Sequence, residues 1–232
     1  MRLNRYIANA GVCSRRDADQ LILAGAVSVN GNVVMEMGYR VKNTDTVRYG
    51  GNLLNHEKKV YLLLNKPKDF ITTVDDEKGR KTVMDLVQNA CKERIFPVGR
   101  LDRNTTGLLL FTNDGDLSLK LTHPKFSIKK IYHATLDKKV RNEDLQSLIN
   151  GITLDDGFIK VDEAHHIQGE KTEVGIEISS GKNRIVRRMF EHLGYEVVKL
   201  DRVCFGTLTK KDLPRGHWRL LSAYEVDSLR ML

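Results

Sequence analysis

The chain opens on an apolar stripe with helical spacing. Leu3, Tyr6, Ile7 and Ala10 fall at i, i+3, i+4 and i+7, which places them on one side of a helix. Gly11 ends that helix. Ser14, followed three residues later by Asp17, forms a capping-box pattern in which each side chain satisfies the other's free backbone N–H. Ala18, Leu21 and Ile22 give a second helix its apolar side, with Gly25 as its C-terminal cap. The period then changes to two. Val27-Ser28-Val29-Asn30-Gly31-Asn32-Val33-Val34 predicts a hairpin, because Asn-Gly supplies the two positive-φ residues of a type I′ turn. Thr46-Val47-Arg48 would complete a small sheet. Residues 50–59 turn polar and read as a linker.

Strands and helices then alternate. Residues 60–64 form an apolar run that stops at Asn65-Lys66-Pro67, and residues 108–112 form another that turns at Asp114-Gly115. Residues 130–136 have strand character, and Leu145, Leu148 and Ile149 predict a helix after Asn142. Asp156-Gly157 marks a hairpin turn, and residues 172–178 alternate as a half-buried strand does. Ile185, Val186, Met189, Phe190 and Leu193 mark a helix closed by Gly194. Hairpin signals outnumber crossover signals. The expected fold class is therefore α+β: a small N-terminal domain over 1–50, a linker over 51–59, and a larger domain over 60–232 with a mixed, mainly antiparallel sheet and packed helices.

Composition adds the nature of the partner. Of 232 residues, 41% are hydrophobic and 29% charged, an ordinary balance for a packed core. No apolar run approaches the roughly 20 residues of a membrane span, and no signal peptide is visible, so a cytoplasmic protein with no membrane partner is expected. Cys13, Cys91 and Cys204 are isolated, which argues against both a zinc site and a disulfide framework. His165-His166 has no companion at ligand spacing and reads as a surface pair. The net charge of +8 and pI of about 9.3 point to a polyanion. Arg15 and Arg16 occupy the first turn of a helix, where the backbone dipole disfavours cations. A phosphate ligand explains them better than helix stability does.

Two stretches carry features that stability alone does not explain. Val98-Gly99-Arg100-Leu101-Asp102-Arg103-Asn104-Thr105-Thr106-Gly107 is a polar loop between apolar segments, with an acid between two arginines. Ser179-Ser180-Gly181-Lys182-Asn183-Arg184-Ile185-Val186-Arg187-Arg188 sets Arg184, Arg187 and Arg188 at i, i+3 and i+4, expected on one helix face. Taken singly, each also reads as a turn or a solvated face.

Together these motifs resemble a known family. Arg2-Leu3-Asn4-Arg5-Tyr6-Ile7-Ala8, Cys13-Ser14-Arg15-Arg16-Asp17-Ala18 and Gly25-Ala26-Val27-Ser28-Val29-Asn30-Gly31 are similar to the alpha-L RNA-binding module of ribosomal protein S4. Gly99-Arg100-Leu101-Asp102, then Thr105 and Gly107-Leu108-Leu109-Leu110, resemble the signature of pseudouridine synthases. Within these the pattern resembles the RsuA/RluB/RluE/RluF branch, and Thr112-Asn113-Asp114-Gly115-Asp116-Leu117, Lys130-Ile131-Tyr132 and Arg187-Arg188-Met189-Phe190 continue it.

The resemblance implies an isomerase acting on rRNA, with Asp102 as the catalytic carboxylate, Tyr132 stacking on the target base and Arg187 pairing with the carboxylate. Relatives often carry Gln where this chain has Ile185. Arg2, Arg5, Arg15, Arg16, Arg100, Arg103, Asn104, Thr105, Lys129, Lys130, Arg184 and Arg188 are the expected RNA-binding residues. The isomerisation adds and removes no atoms, so no metal and no other cofactor is expected. The expected partner is structured RNA in rRNA or a pre-ribosomal particle, with a monomer as the default state. A non-enzymatic ribosome-assembly factor, or a hydrolase releasing the base, would share many of these features. An acid at Asp102 within an RNA-contact loop counts against the first, since it would weaken phosphate binding.

Overall fold

The computed structural model describes residues 1–232, which divide into two compact units. One comprises residues 1–60 with 91–94, and the other residues 61–90 with 95–232.

The smaller unit contains α1 (Leu3–Asn9), α2 (Arg15–Leu23), β1 (Val27–Val29), β2 (Asn32–Val33), β3 (Val47–Tyr49) and β4 (Asn52–Leu53). The capping box forms as the sequence predicts: Ser14 Oγ accepts the Asp17 N–H at 3.2 Å, and the Asp17 carboxylate accepts the Ser14 N–H at 3.3 Å. Asn30 and Gly31 take φ of 52° and 83°, so the hairpin turns where Asn-Gly requires it. The strands pair in the order β2-β1-β3-β4. Leu3, Ile7, Ala18, Ile22, Val27 and Val47 close the core beneath them. β4 lies inside the stretch read as a linker, and residues 51–60 belong to this unit. Arg2, Arg15 and Arg16 are exposed, and Arg5 is half-buried.

The larger unit runs β5 (Tyr61–Lys66), β6 (Phe96–Pro97), β7 (Thr105–Thr112), α3 (Gly115–Thr122), β8 (Lys130–Leu136), α4 (Asn142–Asn150), β9 (Ile152–Leu154), β10 (Gly157–Ile159), β11 (Glu163–Ile167), β12 (Glu170–Ile178), α5 (Ile185–His192), β13 (Val197–Phe205), β14 (Leu208–Thr209), β15 (Trp218–Leu220) and α6 (Ala223–Met231). Its main sheet follows the path β11-β12-β8-β13-β7-β5-β15. Neighbours along that path are antiparallel except β7 and β13, which run parallel. The mixed, mainly antiparallel sheet is as expected.

Two apolar clusters pack helices onto this sheet. Leu145 and Leu148 of α4, with Val186, Met189 and Phe190 of α5, meet Ala134, Val174 and Ile176. Leu117 and Leu121 of α3, with Val226 and Leu229 of α6, meet Leu63, Leu108 and Leu110. His165 is exposed as expected, but His166 is half-buried with neither ring nitrogen bonded, because it stands on β11 beside Val174 of β12.

Candidate active site

The loop before β7 holds Asp102 by its backbone and turns its side chain towards a cavity. Lys66, at the end of β5, has no exposed surface. Its Nζ donates to the carbonyls of Asp102 at 3.1 Å, Arg103 at 3.3 Å, Thr105 at 2.9 Å and Pro67 at 3.1 Å. Burial pushes the Lys66 pKa down to about 8, opposed by Asp102 and Asp69. Thr72 Oγ1 adds a second clamp, donating to the Leu101 carbonyl at 2.7 Å and accepting its N–H at 3.2 Å. Leu101 is buried, and the next side chain, Asp102, enters a cavity of about 160 Å³.

Val98, Leu121 and Phe205 supply apolar wall from one core cluster, and Ile185, Val186 and Leu200 from the other. Arg100, Thr105, Lys130, Tyr132, Arg184 and Arg202 bring the polar groups. Tyr132 and Arg202 are directly opposed on β8 and β13, so their side chains leave the sheet on the same face. A groove of about 500 Å³ lined by Thr106, His133, Glu173 and Asp201 takes the alternate residues of the same strands. Asp201 there is already bound: burial would raise its pKa, but Arg215 and Lys210 hold it down at about 2. Glu173, the groove's other carboxylate, is bonded by His133 and Thr135, so both acids there are held by short contacts, whereas Asp102 has one ion pair at 3.5 Å.

The structure brings Asp102, Tyr132, Arg100, Thr105, Lys130 and Arg184 together around the one cavity. Arg187 is placed differently from the expectation. The ion pair to Asp102 comes from Arg184, whose Nη1 lies 3.5 Å from Oδ2. Arg187 is 9% exposed. Its Nη1 donates to the Val197 carbonyl at 2.5 Å, while Nε and Nη2 have no partner. Burial pushes its pKa down and nearby Arg184 adds to that, with Asp102 opposing both.

Nor do the three arginines share a helix face. Arg184 precedes α5 in a left-handed conformation, φ 48°, which turns its side chain away from the helical register. Arg188 pairs with Asp156 at 2.7 Å, and Arg103 with Asp69 at 3.1 Å. Lys129 is tied to Glu177. Asn104 is exposed beside Arg103.

Sequence reasoning missed two residues here. Lys66 was visible as a lysine closing an apolar run, an unusual place for a charge. Arg202 carried no signal, since Lys199 and Asp201 break the apolar pattern of its strand.

Comparison with known proteins identifies the family. The family model described as RNA pseudouridylate synthase matches residues 60–192, and the S4 domain model matches residues 1–47. Ribosomal large subunit pseudouridine synthase B of Bacillus subtilis is 43% identical over 235 residues, covering 100% of this chain and 96% of that protein. An uncharacterised RNA pseudouridine synthase of Aquifex aeolicus is 38% identical, covering 99% of this chain and 93% of its own length. A crystal structure of a pseudouridylate synthase superposes with a TM-score of 0.71 at 30% identity, covering 99% of both chains. With Asp102 and Tyr132 facing one cavity and both family models matched in order along the sequence, the chain belongs to the RNA pseudouridine synthase family and carries an N-terminal S4 domain.

Proposed function

We propose that the chain converts one or a few specific uridines of large-subunit rRNA into pseudouridine, with Asp102 as the nucleophile. The observation that carries this is Asp102 itself, 34% exposed at its side chain and presented to the cavity from a loop whose backbone is clamped by Lys66 and Thr72. Full-length similarity to a relative named for the large ribosomal subunit supports the choice of RNA.

A uridine within a helix or stacked loop reaches this carboxylate only after flipping out of its stack. Tyr132 then offers a flat face for the base, a contact worth about 1–3 kcal/mol. Asp102 attacks C1′ as uracil departs, giving a sugar ester, or takes the C2′ proton, giving a glycal. Either step requires the ionised carboxylate, which a guanidinium favours. Arg184 fills that place, while Arg187 is buried with Nε and Nη2 unpaired. Arg100, Arg103, Lys129 and Arg188 would hold flanking phosphates, with Arg2, Arg5, Arg15 and Arg16 of the S4 domain as a second grip.

Replacing Asp102 with Asn and mapping pseudouridine across total rRNA tests the proposal. Loss of one or a few modifications with RNA binding retained is the expected result. An unchanged map, with wild-type and mutant protein alike, would leave an RNA-binding assembly factor in its place.

A further inference from the structure

Of the cavity's cations that are not exposed, two, Arg202 and Lys130, have no carboxylate partner. Arg202 is 4% exposed. Its Nε donates to the Leu108 carbonyl at 2.8 Å, its Cζ stands 4.9 Å from the Phe205 ring centroid, and its Nη2 has no acceptor. Lys130 lines the same space and donates to the Ser179 carbonyl at 2.9 Å. Burial pushes the Lys130 pKa down to about 8, and neighbouring Arg202 lowers it further while Asp162 opposes both. The cavity's carboxylate, Asp102, is paired with Arg184 instead. The Thr105 hydroxyl, 2% exposed, also lacks a partner.

A buried donor left without an acceptor is costly, and two like charges brought together in low dielectric are more so. A purely structural role for Arg202 accounts for its bond to Leu108. It does not account for the unused Nη2 or for the second cation. An electron-rich oxygen arriving in the cavity accounts for both.

We propose that Arg202, with Lys130 beside it, binds the uracil ring as it leaves C1′ and stabilises the negative charge that develops on its carbonyl oxygens. This rests on the pseudouridine synthase reading above. When the C1′–N1 bond breaks, its electron pair stays with the ring, spread over N1, O2 and O4. C1′ is satisfied by the Asp102 ester or, in the glycal route, by loss of the C2′ proton. The pair returns to the sugar when C5 bonds to C1′, as the ester carboxylate leaves or C2′ regains its proton. C5 then gives up its hydrogen and N1 takes one. The anion exists only between the two bonding events, and a guanidinium already fixed by Leu108 and Phe205 meets it without reorganising. Arg202 also stands directly across from Tyr132, beside the face on which the base would stack. Guanidinium and ammonium groups can only donate, so they match the carbonyl oxygens of uracil.

The test uses the full chain and transcribed 23S rRNA containing 5-tritiated uridine, with tritium release reporting turnover and filter binding reporting RNA affinity. Arg202→Gln is expected to lower kcat by about 10²–10³-fold with affinity unchanged within about twofold, and Arg202→Lys to recover at least about tenfold of the loss. A Lys variant no better than Gln, or a Gln variant within about threefold of wild type, would overturn the proposal. If Arg202→Gln fails to fold, Lys130→Gln against Lys130→Arg carries the same comparison with the same outcomes. Wild-type protein that releases no tritium would overturn the underlying function, and this proposal with it.

Discussion

Gly107 on β7 has no room for a side chain. Its φ is 105°, and a Cβ there would meet the Arg202 carbonyl oxygen at 2.2 Å and its backbone nitrogen at 2.5 Å. No flexible side chain can yield, since both atoms belong to the strand that pairs with β7. Gly107→Ala is expected to cost more than about 3 kcal/mol in guanidinium unfolding. Gly151→Ala, at φ 102°, would press only on the exposed Phe158 ring and should cost no more than backbone strain, about 1–3 kcal/mol.

Arg184 is the opposite case, a non-glycine residue held at φ 48° where glycine would sit without strain. Its ion pair with Asp102 is half open to water, 45% exposed on the Arg184 side, and such pairs contribute about 0–1 kcal/mol. Arg184→Gly should therefore hold or raise the melting temperature while lowering turnover. That combination marks a strained residue kept for function. The strain also explains why the helical spacing of Arg184, Arg187 and Arg188 misled: one left-handed residue at the start of α5 removes the first of them from the helix.

At the scale of elements, α6 shows how a helix end responds to acid. Ser222 and Glu225 form a capping box, and Arg219 bonds both Glu225 oxygens, at 2.8 and 2.6 Å. The Arg219 guanidinium holds the Glu225 pKa down at about 2, against an ordinary value of 4.5. Because the folded value lies below the unfolded one, this contribution is complete above about pH 4.5 and is lost as pH falls towards 2. Glu225→Gln should cost about 1 kcal/mol at pH 7 and much less near pH 2, measured as the melting temperature difference from wild type at each pH.

The same scale explains what the sequence disclosed. Strands with one-sided or wholly apolar patterns, such as β5, β8 and β12, were legible, as were helices with a clear stripe. β13 was not: Lys199, Asp201 and Arg202 interrupt its valines because one face lines the cavity and the other a polar groove. Asp102 was legible because its flanking motif is long. Arg202 was hidden because a lone arginine in a polar strand looks like any surface residue until its burial is known.

For the whole molecule, with its net charge of +8, the number of phosphates contacted sets how RNA affinity responds to salt. Each phosphate contact adds about 0.7–0.9 to the slope of log affinity against log salt. Arg15 and Arg16 are exposed on the S4 domain, so Arg15→Ala with Arg16→Ala should weaken binding and reduce that slope by about 1.4–1.8. Turnover at saturating RNA should be unchanged. Filter binding between low and moderate salt measures the first effect, and single-turnover kinetics the second.

Lys66 has a consequence on this scale as well. Three carbonyls of the Asp102 loop, joined by that of Pro67, converge on one ammonium, so that loop cannot peel away by itself without stranding a charge in the interior. It should behave as part of the cooperative unfolding unit, although it is a surface connection. Amide hydrogens such as that of Thr105 should exchange only as slowly as global unfolding permits, and proteases should nick other loops first.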